Sequence, residues 1–103
     1  MGEELPTTDP NGAEALVAEG YQLLDVRTQA EWDEAHVEGA THIPLDQLTE
    51  RVGEVGPQVV AMCRSGGRSA QATAFLNHSG KEAVNLDGGI LEWAAQGKPV
   101  VSG

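Results

Sequence analysis

Gln58-Val59-Val60-Ala61-Met62, followed by Cys63-Arg64-Ser65-Gly66-Gly67-Arg68 and then Ser69 to His78, is the stretch on which the reading of this chain turns. Its first five residues are uncharged and carry β-branched side chains, the pattern of a strand buried on both faces. Ser65, Gly66 and Gly67 let the backbone curl sharply. The alanine-rich run from Ser69 to His78 predicts a helix that Gly80 ends. A buried strand, a tight loop and a helix form half of a parallel α/β unit, in which ligands bind beyond the carboxyl ends of the strands. Cys63 is delivered to that edge.

Working outward, strand and helix signals alternate. Asp9-Pro10 reads as an N-cap with proline in the first turn, and Ala13, Leu16 and Val17 share a helical face before Gly20. Tyr21 to Val26 is a short apolar strand. Thr28 to Glu31 is a capping-box pattern that opens a short helix running towards His36. Thr41 to Ile43 is a brief strand closed by Pro44. Leu45, Leu48 and Val52 recur at helical spacing, and Ala70, Ala72 and Ala74 suggest close packing of a helix on a sheet. Glu82 to Leu86 is another strand, and Asp87-Gly88-Gly89 turns into a last helix bearing Ile90, Trp93 and Ala94. Strands separated by helices predict an α/β fold with a mostly parallel sheet covered on both faces.

The chain has 103 residues, with 16 acids against 6 bases and a formal charge of −10. That length predicts a single domain over 1–103 with a radius of gyration of about 13 Å. Its core is expected over about residues 6–99, with loose ends at 1–5 and 100–103. Leu, Ile, Val and Phe number only 22, so the core must pack economically. The acidic balance excludes a nucleic-acid binder and docking on anionic lipid, both of which need a basic face. The longest apolar run, Val59 to Cys63, is too short to span a membrane, and Met1 to Pro6 lacks the cationic head and apolar stretch of a secretory signal. The expectation is a cytoplasmic chain. A single cysteine excludes an internal disulfide and a Cys-based metal cage. His36 and His42 are not spaced as ligands on one helix, so no metal is expected; they read as turn-stabilising or packing residues.

The chemistry concentrates around Cys63. A curled Arg64–Gly67 loop can turn successive N–H groups inward as an anion cradle, and a helix starting near Ser69 adds its positive end. Both favour thiolate over thiol. Of six cations, Arg64 and Arg68 lie in this loop and Arg27 lies at the end of another strand, which points to a small anionic substrate. Arg64, Ser65, Gly66, Gly67, Arg68 and Ser69 are therefore candidate substrate-binding residues. Ser69 equally suits a helix cap, and Arg27 is open between a substrate clamp and a structural partner. Asp25 reads as structural, because a buried carboxylate there wants backbone donors and an arginine. Trp32 and Trp93 read as core or rim packing.

The segment Cys63-Arg-Ser-Gly-Gly-Arg-Ser69 resembles the active-site loop of rhodanese-type sulfurtransferases. Leu24-Asp25-Val26-Arg27 is similar to that family's strand-end element. Glu31-Trp32 through His36-Val37-Glu38-Gly39-Ala40, then Ile43-Pro44, resembles its second block, with Ala35 where the family usually has glycine. Asp87-Gly88-Gly89-Ile90 with Trp93 resembles its closing block. The resemblance runs from about Pro6 to Pro99 and implies a five-stranded parallel sheet flanked by helices, with His36 and Asp25 structural near the site. It implies nucleophilic catalysis by Cys63: the thiolate takes sulfur from a small anionic donor such as thiosulfate and holds it as a persulfide. Cyanide, a thiol or a sulfur-acceptor protein then receives it, with no cofactor. Cys63 to Arg68 is a Cys-x4-Arg loop, one residue shorter than the Cys-x5-Arg of related phosphatases. That shorter ring favours sulfur over phosphate. The competing readings are a non-catalytic binding or regulatory module and a cysteine-based phosphatase or arsenate reductase.

Overall fold

The structure is a computed structural model that describes residues 5–102. Five strands form one sheet in the order β1-β5-β4-β2-β3, every pairing parallel. They are β1 (Thr7–Thr8), β2 (Gln22–Asp25), β3 (Thr41–His42), β4 (Gln58–Met62) and β5 (Glu82–Leu86). Three helices connect strands, α1 (Pro10–Ala18), α2 (Gln29–Glu34) and α3 (Gly67–His78), and a fourth, α4 (Gly89–Ala95), follows β5. The radius of gyration is 12.4 Å, as the length requires.

β4 is the middle strand, paired with β2 on one side and β5 on the other. Its period of two divides the core into two layers. Val59, Ala61 and Cys63 join Leu24, Ile43, Ala72 and Leu76 on the face under α3. Val60 and Met62 join Ala13, Leu23, Leu86, Ile90 and Trp93 on the face under α1 and α4. The chain passes from β2 to β3, then returns across β2 to β4. The strand order therefore reverses between β2 and β4, and Cys63 leaves the sheet beside that switch point.

Several local rules hold as read. Asp9 caps α1 by accepting the Gly12 amide at 2.8 Å. Thr28 and Glu31 form a reciprocal capping box on α2. Four differences are physical. The helical spacing of Leu45, Leu48 and Val52 resolves into two single 3₁₀ turns, Leu45–Gln47 and Val52–Glu54, each without a side-chain cap. β1 is only two residues long and carries no apolar signal; it exists because β5 offers its edge at Asn85 and Leu86. In α3 the buried positions are Ser69, Ala72, Thr73 and Leu76, a 3–4 spacing that leaves Ala74 exposed, since residues two apart cannot share a helical face. The end expected to be loose from Val100 is tied at Val101, whose amide and carbonyl both pair with His36 at 2.8 Å. Lys98 to Glu14 and Trp93 Nε1 to the Pro99 carbonyl add further ties. Among the described residues, no helix is long and apolar enough to cross a membrane.

Leu24 is fully buried between β3 and β4, whereas Val17 is 39% exposed. Leu24→Ala is expected to cost about 2–5 kcal/mol in a urea titration, and Val17→Ala roughly 0.5 kcal/mol or less.

Candidate active site

β4 ends at Met62 and α3 begins at Gly67, so only four residues separate strand from helix. Gly66 makes that turn at φ +113°, in the left-handed region that glycine tolerates. It stands at the N-cap of α3. The helix thus begins two residues before Ser69, which corrects the capping role read for that serine. Ser69 is instead fully buried in the first turn, behind the cysteine.

The loop holds the sulfur from beneath. Gly66 N–H donates to Cys63 Sγ at 3.0 Å, and Ser69 Oγ lies 3.4 Å from it. Burial pushes the thiol up. The Ser69 hydroxyl and the amides of Ser69, Gly66 and Ser65 push it down further, so the net direction is below the ordinary thiol value. The Ser65 amide shares its peptide unit with the Arg64 carbonyl, which, like the Cys63 carbonyl, is held from the other side. Ile90 N–H donates to the Cys63 carbonyl at 2.8 Å and Leu91 N–H to the Arg64 carbonyl at 3.2 Å. These donors are first-turn amides of α4, which have no partner within their own helix. Gly89, at φ +57°, permits the approach: a Cβ there would collide with both loop carbonyls. Cys63 itself is buried, 1% exposed.

The arginines divide differently from their sequence positions. Arg27 is 4% exposed. Its Nε and Nη2 donate to Asp25 at 2.8–3.0 Å, and Nη2 also reaches the Ala35 carbonyl at 2.7 Å. Asp25 additionally accepts the Arg27 amide at 2.9 Å. This buried pair ties the end of β2 to the end of α2. Arg68 makes a two-pronged pair with Glu31 at 2.7 and 2.9 Å. That pair, with the Thr28 cap, holds the Glu31 carboxyl down at about 2. Arg64 is exposed, and alone among the six cations it has no hydrogen-bonding or ionic partner within the described residues. It lines a cavity of about 280 Å³ together with Leu91, Val100, Ala94 and Glu34.

Glu31 was legible as a capping residue, but its hold on Arg68, 37 positions away, was not. His36 and His42 lie in one aromatic stack with Trp32 between them, at centroid distances of 3.7 and 4.8 Å. His36 Nδ1 pairs with the Trp32 carbonyl and His42 Nε2 with the Arg27 carbonyl. They brace the turns around the site. Asn85 in β5, 2.6 Å from Ser69, was missed; its one signal is an amide side chain at an inward position of a buried strand. Among the described residues no cluster of three metal-ligating side chains occurs. A larger cavity of about 400 Å³ lies at the amino end of β2, lined by Tyr21, Leu23, Val37, Trp93 and Val101 among others, with no cysteine, serine or histidine in its wall.

Two expectations follow from this geometry. Gly89→Ala should destabilise the fold by about 2 kcal/mol or more and slow alkylation of Cys63, because the loop must shift. Glu31 has a folded value of about 2, depressed from its ordinary 4.5, so its pairing stabilises the protein above that ordinary value and ceases to do so as the pH falls through about 2. Glu31→Gln keeps the cap and loses the ion pair. The stability gap between it and the parent should be about 1 kcal/mol at neutral pH and close between about pH 4.5 and 2, as read by urea midpoints.

The family model for the rhodanese-like domain matches residues 9–96. A protein named sulfurtransferase from Allochromatium vinosum is 40% identical over 87 residues, covering 82% of this chain and 81% of its own. Thiosulfate sulfurtransferase 16 of Arabidopsis thaliana is 33% identical, over 84% of this chain and 85% of its own. The crystal structure of a rhodanese-related protein from Thermoplasma volcanium superposes with a TM-score of 0.86 at 28% identity, covering 93% of this chain and 97% of that one. A central cysteine at the carboxyl edge of a five-stranded parallel sheet thus coincides with agreement in sequence along nearly the whole chain, and the chain belongs to the rhodanese-like domain family.

Proposed function

We propose that this protein is a sulfurtransferase that carries sulfane sulfur as a Cys63 persulfide. The observation that supports this most is the Gly66 amide aimed at Cys63 Sγ at 3.0 Å from a left-handed turn at the head of α3. A thiolate held this way is a ready nucleophile, and the same donors suit a persulfide anion. With thiosulfate, the Cys63 thiolate attacks the outer sulfur. A new sulfur–sulfur bond forms, the bond to the sulfonate breaks, and sulfite leaves with the electron pair. An acceptor then attacks the outer sulfur of Cys63–S–S⁻ once that sulfur is protonated. Cyanide leaves as thiocyanate and a thiolate leaves as an organic persulfide. Cys63 is released as thiolate in either case. The two half-reactions predict ping-pong kinetics.

Arg64 is the residue best suited to meet an anionic donor, being exposed and free of acidic partners within the described residues. Arg68 and Arg27 act here chiefly through Glu31 and Asp25, by holding the loop and the end of β2 in place. The loop residues Ser65, Gly66, Gly67 and Ser69 contribute backbone donors and one hydroxyl. The acceptor is cyanide, a thiol or a sulfur-acceptor protein.

Intact mass measurement after incubation with thiosulfate tests the proposal. One added sulfur atom is expected, removed by cyanide and absent in Cys63→Ser. Arg64→Ala should raise KM for thiosulfate roughly tenfold, the loss of one charge-assisted contact. No sulfur gained from thiosulfate or from an organic persulfide would overturn the proposal in favour of a non-catalytic module. Cleavage of a phosphate ester that depends on Cys63 would favour the phosphatase reading.

A further inference from the structure

We propose that Ser69 and Asn85 form a hydroxyl switch, in which Asn85 holds the Ser69 proton while Cys63 is neutral and yields it to the sulfur when Cys63 ionises. This rests on the reading of Cys63 as the nucleophile and makes Asn85 a positioning residue that acts through Ser69.

The geometry carries the inference. Ser69 is fully buried and Asn85 is 6% exposed, so water does not substitute for either partner. Ser69 Oγ has one proton and three acceptors within reach: Asn85 Oδ1 at 2.6 Å, the Gly66 carbonyl at 3.3 Å and Cys63 Sγ at 3.4 Å. The shortest of these lies at the strong end of hydroxyl-to-oxygen bonds, so the resting proton points at Asn85. The amide of Asn85 is oriented by its Nδ2, which donates to the Gly66 carbonyl at 3.4 Å; the reversed amide would set two carbonyl oxygens against each other. In this arrangement the Ser69 oxygen is free to accept from the Cys63 S–H, giving a chain from sulfur to hydroxyl to amide.

Loss of the thiol proton reverses the demand. A buried thiolate needs donors, and rotation about the Ser69 Cβ–Oγ bond brings the hydroxyl proton to it with no heavy atom displaced. Asn85 Oδ1 then loses its donor, a cost that opposes ionisation. Ser69 therefore favours the thiolate while Asn85 restrains it. In a persulfide the inner sulfur is uncharged, and the hydroxyl returns to Asn85. Thr73 Oγ1, which donates to the Ser69 carbonyl at 2.7 Å, keeps the serine backbone fixed throughout.

The two residues should thus move the cysteine in opposite directions. The test is the pH dependence of Cys63 alkylation by iodoacetamide, read by intact mass, for the parent protein, Ser69→Ala, Asn85→Leu, Asn85→Asp and the Ser69→Ala/Asn85→Leu double variant. Ser69→Ala should raise the midpoint and Asn85→Leu should lower it, each by about half a pH unit. Asn85→Asp loses the same Nδ2 donor as Asn85→Leu but keeps an acceptor and adds negative charge, so its midpoint should rise. In the Ser69→Ala background, Asn85→Leu should have no effect, since no hydroxyl is left to release. Should Asn85→Leu fail to fold, Asn85→Val carries the same expectation. A midpoint that rises or stays still in the apolar Asn85 variants overturns the switch, as does a shift that persists without Ser69; the activated thiol survives either result. A parent midpoint at the ordinary thiol value overturns the activated thiol itself, and the switch with it.

Discussion

The site depends on two backbone hydrogen bonds from the start of α4 to the carbonyls of Cys63 and Arg64. A peptide unit has two ends, and fixing the Arg64 carbonyl outward turns the Ser65 N–H inward, beside the Gly66 and Ser69 amides that the left-handed turn and the start of α3 supply. The inward groups meet the sulfur of the lone cysteine. α4 has spare amides to give because helix starts always do, and Gly89 has no side chain to block the approach. The electrostatics of Cys63 therefore rest in part on a packing contact between two segments that lie more than twenty residues apart.

A second constraint is the neutralisation of charge around the site. In so acidic a molecule, each arginine near the sulfur could have served an anionic substrate. Two of the three have carboxylate partners instead, and each pair binds one segment of the site to another: β2 to the end of α2 through Arg27 and Asp25, and α3 to the start of α2 through Arg68 and Glu31. Arg64 alone has its charge directed to solvent. The cup is thereby built mainly of backbone dipoles and one buried hydroxyl.

Much of the fold was legible because the local signals agree with each other. The β4 run, the capping box at Thr28 and Glu31, and the turns before Gly20 and Gly80 all act through neighbours a few residues apart, so the chain displays them directly. Cys63 was legible for the same reason: strand, glycine turn and helix start are contiguous. β1 was not legible, because a two-residue strand is defined by the edge it joins. The spacing of Leu45, Leu48 and Val52 misled because single 3₁₀ turns also bring apolar residues inward at three- and four-residue steps.

The partners of the site residues were decided only in three dimensions. Glu31 and Arg68, Ser69 and Asn85, His36 and Val101 are each joined across many residues, and a side chain's partner depends on which atoms the packed core leaves within 3 Å. The chain alone determined that a strand would carry a lone cysteine into a glycine-rich turn at a helix start, since backbone freedom and hydrophobic alternation are local properties. Tertiary structure determined which amides face the sulfur, which arginine stays free and where the Ser69 hydroxyl points, because those outcomes follow from distances between segments that touch only after folding.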